Sequence, residues 1–198
     1  MRHRFPLVLG AAFVASTLSL AAQAPSTTAP KPKAPTTSKE THAAAQKTAM
    51  NADHHFVKAA AEGGMAEVEL GKLATDKASN AKVKEFGQRM VTDHGKWNDE
   101  LKSLAASKKI TLPTAINAKD QALKDRLSKL SGAAFDRAYM AEMIRDHEAD
   151  YTAFRKEATT GQDAEIKAWA DKTAPLIDEH LKLARETQKA LSTPKATQ

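Results

Sequence analysis

Three segments of the chain end in an acid followed by histidine: Arg89-Met-Val-Thr-Asp-His94, Glu142-Met-Ile-Arg-Asp-His147 and Pro175-Leu-Ile-Asp-Glu-His180. A large apolar residue (Met90, Met143, Leu176) stands four places before each histidine, and a branched one (Val91, Ile144, Ile177) three places before it. On a helix those spacings share a face with the imidazole, so three helices each bring one imidazole onto an apolar stripe. Imidazoles converging beside a carboxylate suit zinc, iron, manganese or copper. The same rings joined by hydrogen bonds would instead form a buried polar network that fixes helix register. Proton transfer is a third use of such a group.

The carboxylate comes from an earlier helix. Aligning Met65 with Met90 and Met143 puts Glu69 in the histidine position, whereas the apolar face through Phe56, Ala60, Gly63, Leu70 and Ala74 includes Glu67. The apolar stripe is the stronger constraint, so the expected metal set is Glu67, His94, His147 and His180, with Glu69 as the alternative. Asp93, Asp146 and Glu179 each precede a histidine by one residue and point about 100° away around the helix. They are expected to orient a histidine on a neighbouring helix or to sit at the rim of the bundle. A di-iron centre of the Glu-x-x-His type is disfavoured, because Val91, Ile144 and Ile177 occupy the places where glutamate is needed. Met90 and Met143 lie one turn before their histidines and could favour copper, although methionine at core spacing commonly just fills space.

The elements that must position these residues read as helical throughout: apolar residues recur at threes and fours, and Ala, Leu, Lys, Glu and Gln dominate. Helices are expected at 53–77, 80–107, 132–159 and 163–191, with a short one at 118–130. The connections Ala78-Ser79-Asn80 and Thr160-Gly161-Gln162 are short, with Asn80 and Asp163 as N-caps. Each helix pair is therefore an antiparallel hairpin, and the long 109–130 segment crosses from one to the other. That is an all-α, ferritin-like four-helix bundle with a short extra helix. The expected buried stripes are Val83, Phe86, Met90, His94, Trp97, Leu101 and Leu104; Met140, Ile144, His147, Tyr151, Phe154 and Ala158; and Ile166, Trp169, Thr173, Ile177, His180 and Ala184. Pro175 should bend the last helix one turn before His180, and the glycines of the first two helices should serve close packing rather than phosphate binding.

Composition frames the rest. Residues 1–24 run from Arg2 and Arg4 through an apolar stretch to small residues at Ala21, Ala22 and Ala24, the order of a secretory signal peptide. Residues 25–50, rich in Ala, Pro, Thr and Lys, read as a disordered tether, 51–191 as the folded domain and 192–198 as a disordered tail. The chain carries a formal charge of +6, yet the bases and acids of 51–191 balance at 23 each. No basic surface for nucleic acid is implied, and the exported, periplasmic or envelope-located mature form is not expected to insert strongly into a membrane. Protein partners are unspecified. There is no cysteine, which removes disulfides and thiolate ligands.

From about Asn51 to Leu191 the chain resembles the secreted bacterial family known as domain of unknown function 4142, predicted to be outer-membrane or periplasmic. The resemblance is carried by Gly64-Met-Ala-Glu-Val-Glu-Leu-Gly-Lys-Leu-Ala74, Val83-Lys-Glu-Phe-Gly-Gln-Arg-Met-Val-Thr-Asp-His94, Phe135-Asp-Arg-Ala-Tyr139 and the later His147 and His180. It implies a ferritin-like fold and export and no particular reaction. The functional expectation is an exported binding or stress-associated module with a histidine and carboxylate metal site in its core. A metal-dependent redox enzyme and a purely structural interaction protein with a buried histidine network are the alternatives.

Overall fold

The computed structural model describes residues 37–192, and every regular element within them is an α-helix: α1 (Thr37–Lys77), α2 (Ala81–Ser107), α3 (Ala118–Ser128), α4 (Gly132–Thr160) and α5 (Ala164–Ser192). The leader expected over residues 1–24, the first part of the tether and the tail beyond Ser192 lie outside the described residues. Where tether was expected up to residue 50, α1 already begins at Thr37. The last proline of that stretch is Pro35, and the residues after it are alanine-rich, so helix nucleated at the packed core propagates outward without an apolar face of its own. Ala45, Gln46, Lys47 and Met50 are accordingly exposed.

Local chemistry explains the other boundaries. The Asn80 side chain accepts a hydrogen bond from Lys82 N and caps α2, Asn117 caps α3 through Asp120 N, and Asp163 Oδ1 accepts from Glu165 N and Ile166 N at the start of α5. At the far end of α2, Lys109 adopts φ 57° and Ile110 N reaches back to Ala105 O, the left-handed turn that satisfies a helix's last carbonyls. α5 runs unbroken through Pro175, which sits on its exposed face.

α1 pairs with α2 and α4 with α5, and the hairpins meet through α1–α4 and α2–α5 contacts with α3 lying against α1 and α4. Each hairpin turn is pinned by an aspartate of the other hairpin. Buried Asp53 on α1 accepts from Gln162 N at 2.9 Å and Asp163 N at 2.6 Å. Buried Asp136 on α4 accepts from Ser79 N, Ser79 Oγ and Asn80 N at 3.0, 2.6 and 3.0 Å. Within the first pair the backbones approach closely, because a Cβ on Gly71 would stand 2.6 Å from Gly87 O and one on Gly87 would stand 2.7 Å from Ala74 Cβ.

The apolar interior falls into clusters along the bundle. One gathers Leu70, Phe86, Met90, Phe135, Tyr139, Met140, Met143 and Ala184; another gathers Trp97, Phe154, Ala170, Ala174 and Ile177. All three expected stripes shift in part. On α4 the fully buried residues are Phe135, Asp136, Tyr139, Met140, Met143, His147, Phe154 and Glu157, leaving Ile144, Tyr151 and Ala158 half-buried. On α2, Ala105 takes the buried place expected for Leu104, and on α5 Trp169 is only partly covered while Ala170 is buried. On α2 and α5 a small residue meets the facing helix and the larger one leans over the edge of the interface.

Candidate metal centre

His94 on α2, His147 on α4 and His180 on α5 fall between those two apolar clusters, each one turn or so from Met90, Met143 or Ile177. All three rings are buried, at 5, 1 and 0% exposure. Ring centroids are 5.8 Å apart for His94–His147 and 5.5 Å for both His94–His180 and His147–His180. One nitrogen from each ring belongs to a set lying mutually within 4.8 Å.

On two of the rings the other nitrogen is anchored. His147 Nδ1 lies 2.8 Å from the backbone carbonyl of Met143; a carbonyl can only accept, so Nδ1 carries the proton and Nε2 is left as a lone-pair donor. His180 Nε2 lies 2.9 Å from Asp93 Oδ2, a carboxylate that also receives Arg89 at 3.1 Å. Nε2 therefore donates there and Nδ1 is free. Among the described residues, His94 Nε2, His147 Nε2 and His180 Nδ1 are buried without any hydrogen-bond partner. The closed network that sequence reasoning allowed is thus open at all three rings. Burial holds each imidazole neutral: His94 is well below the usual histidine range, lowered further by the other two rings, His147 is lowered, and His180 is brought down to about 4 despite the hydrogen bond from its ring to Asp93. Trp97 completes the surround, stacked on His180 at 5.1 Å and edge-on to His94 at 4.7 Å.

Of the two glutamates weighed on α1, Glu67 is buried at 0% exposure and Glu69 lies toward α3 in an ion pair with Lys124. Glu67 Oε1 is 3.7 Å from His147 Nδ1, beside the anchored nitrogen, and neither of its oxygens has a hydrogen-bond partner. Burial first, then the Asp146 carboxyl and the charges of Asp150 and Asp120, hold Glu67 well above the usual carboxylate range. Asp93 orients a histidine on a neighbouring helix, and Glu179 sits exposed at the rim in an ion pair with Arg89 at 3.4 Å. Asp146 stands by Glu67. Met90 and Met143 lie in the apolar cluster.

Sequence reasoning passed over Asp150, which burial, then Asp146 and Asp120, push up to about 7. Its signal was present: it stands three residues after His147 and four after Asp146, on the same side of α4. Trp169, expected only as a core residue, has its Nε1 buried without a partner.

The fold is shared with two solved structures. A protein from Streptomyces coelicolor, described as secreted and as DUF305, superposes with a TM-score of 0.60 at 12% identity, over 74% of this chain and 98% of its own. A conserved hypothetical protein from Mycobacterium tuberculosis gives 0.56 at 14% identity, over 75% and 98%. No curated protein matches the chain significantly. No helix among the described residues is long and apolar enough to cross a membrane. Residues 38–187 match the family described as Domain of unknown function (DUF4142), and the chain belongs to that family.

Proposed function

We propose that this is an exported, ferritin-like envelope protein that binds one transition-metal ion through His94, His147 and His180. The observation that carries the reading is three buried imidazoles that each offer one nitrogen to a group lying within 4.8 Å, together with one buried, unpartnered nitrogen on every ring. Left unmet, buried polar atoms cost about 1–3 kcal/mol each; one cation satisfies all of them at once. Nitrogens at the corners of a triangle of that size sit no more than ~2.8 Å from its centre, so each ring needs to close by at most ~0.7 Å to reach a metal–nitrogen distance of 2.0–2.1 Å. The Met143 carbonyl and Asp93 supply the outer hydrogen bonds that hold metal-binding imidazoles in their tautomer. Glu67 stands behind His147, 3.7 Å from its Nδ1, as a buried carboxyl group that burial holds toward its protonated form.

Three imidazoles suit zinc, copper or iron, and an oxygen-preferring ion such as manganese less well. Export is supported by the signal-like leader and by the description of the Streptomyces structure as secreted.

Thermal melting with and without chelator tests the reading, because an ion that binds only the folded state raises stability by mass action. The expected result is a lower Tm with chelator, recovery with zinc, copper or iron, and no response in His147→Ala. A wild-type domain indifferent to chelator and to added metals would overturn it.

A further inference from the structure

Three protein nitrogens leave a tetrahedral ion one ligand short, and a small cavity lies against His94, one of the three rings. A cavity of about 20 Å³ is bordered by His94, Trp97, Asn98, Asp150, Trp169 and Thr173. A single water needs roughly 10–15 Å³ of such space and 2–4 polar partners, so the cavity takes one water-sized molecule and excludes an organic substrate. Its walls supply the partners. Trp169 has a buried indole N–H that donates to nothing among the described residues, Asp150 brings a carboxyl group from α4, and the Thr173 hydroxyl, which donates to Trp169 O at 2.8 Å, retains lone pairs to accept. On the α1 side Asn98 packs directly over Gly64, where a Cβ would stand 2.1 Å from Asn98 Oδ1, so that wall is closed by a side chain that only glycine admits.

We infer that this cavity holds a water or hydroxide as the remaining ligand of an ion carried by His94, His147 and His180, hydrogen-bonded to Trp169 and Asp150. The inference rests on the metal reading above and extends it to the centre's reactivity. The ion keeps one exchangeable position, and only water, hydroxide or a diatomic molecule reaches it. His94 borders both the ion and the cavity, and Asp150 places an acceptor beside the bound water without being a ligand.

The test uses the protein loaded with Cu(II), with bound copper per chain measured first by equilibrium dialysis. After transfer into water enriched in oxygen-17, electron paramagnetic resonance of the wild-type protein should show coupling to a directly bound oxygen. Ala60 on α1 also lines the cavity and none of the three histidines lies on that helix, so Ala60→Leu fills the space and should retain copper while losing the coupling. If leucine prevents folding, Ala60→Val makes the same intrusion on a smaller scale and should weaken the coupling. Copper bound without oxygen-17 coupling in the wild type would overturn the inference while leaving the metal reading intact, as would coupling undiminished in a folded, cavity-filled variant. A chain that binds no copper, zinc or iron would end both.

Discussion

Asp93 Oδ2, on α2, lies 2.9 Å from His180 Nε2, on α5, and so decides which nitrogen of a ring on another helix faces the core. Arg89, one turn earlier on α2, holds the same carboxylate at 3.1 Å, so the orienting group is itself oriented. Asp93→Ala should release the His180 ring. If His180 ligates a metal, affinity should fall about 10–100-fold, measured by competition with a chelator of known strength, with little change in the far-ultraviolet circular dichroism spectrum. Unchanged affinity would show that Asp93 serves the surface ion pair alone.

The crossed aspartates predict a second set of outcomes. Asp53→Ala and Asp136→Ala each leave backbone donors of the opposite hairpin's turn without their acceptor, and each should cost about 1–3 kcal/mol in urea unfolding. The residues serve opposite ends of the bundle, ~36 Å apart along α1 at 1.5 Å per residue, so the double variant should lose close to the sum. A marked departure from additivity would mean that the ends communicate through the core.

Glycine substitutions should divide by place. Gly71→Ala and Gly87→Ala push α1 and α2 apart at their closest approach and should destabilise by roughly 1–3 kcal/mol. Gly63 and Gly95 have nothing within 4 Å of an added Cβ, so Gly63→Ala and Gly95→Ala should stabilise by about 0.4–1 kcal/mol. Melting temperatures of the four single variants check both signs together.

Much of this was legible in the chain. The repeated acid-histidine hexads put three rings on buried helix faces because His94, His147 and His180 each continue an apolar run at spacings of three and four. Glu67 was preferred to Glu69 on the same ground, and burial agrees. The faces that shifted are those where two phases compete. Met143 and Ile144 are neighbours of similar apolar character, and only the facing helix decides that Met143 is buried. The aspartate clamps had no local signal, since the partners are separated by 57 and 109 residues. The cavity beside His94 is bordered by side chains from four helices, an arrangement no single stripe reveals.

Stability should also depend on pH through Glu157, which burial and then the neighbouring Asp53 charge push up to about 7. A carboxyl group with a raised folded-state pKa favours folding at low pH, below its unfolded value near 4.5, and that contribution is lost as pH rises through about 7. Glu157→Gln, permanently neutral, should therefore melt higher than the wild type at pH 8 and nearly equal to it at pH 4. Equal melting temperatures at both values would show that Glu157 titrates like a solvated glutamate.

The central claim is that three histidines from three helices hold one ion, and X-ray absorption at the metal edge of the zinc- or copper-loaded domain reads this directly. After dialysis to one ion per chain, the account predicts three imidazole nitrogens at about 2.0–2.1 Å, falling to two in His180→Ala. Fewer than three imidazoles in the wild type, or a signal indifferent to His94, His147 and His180, would contradict it.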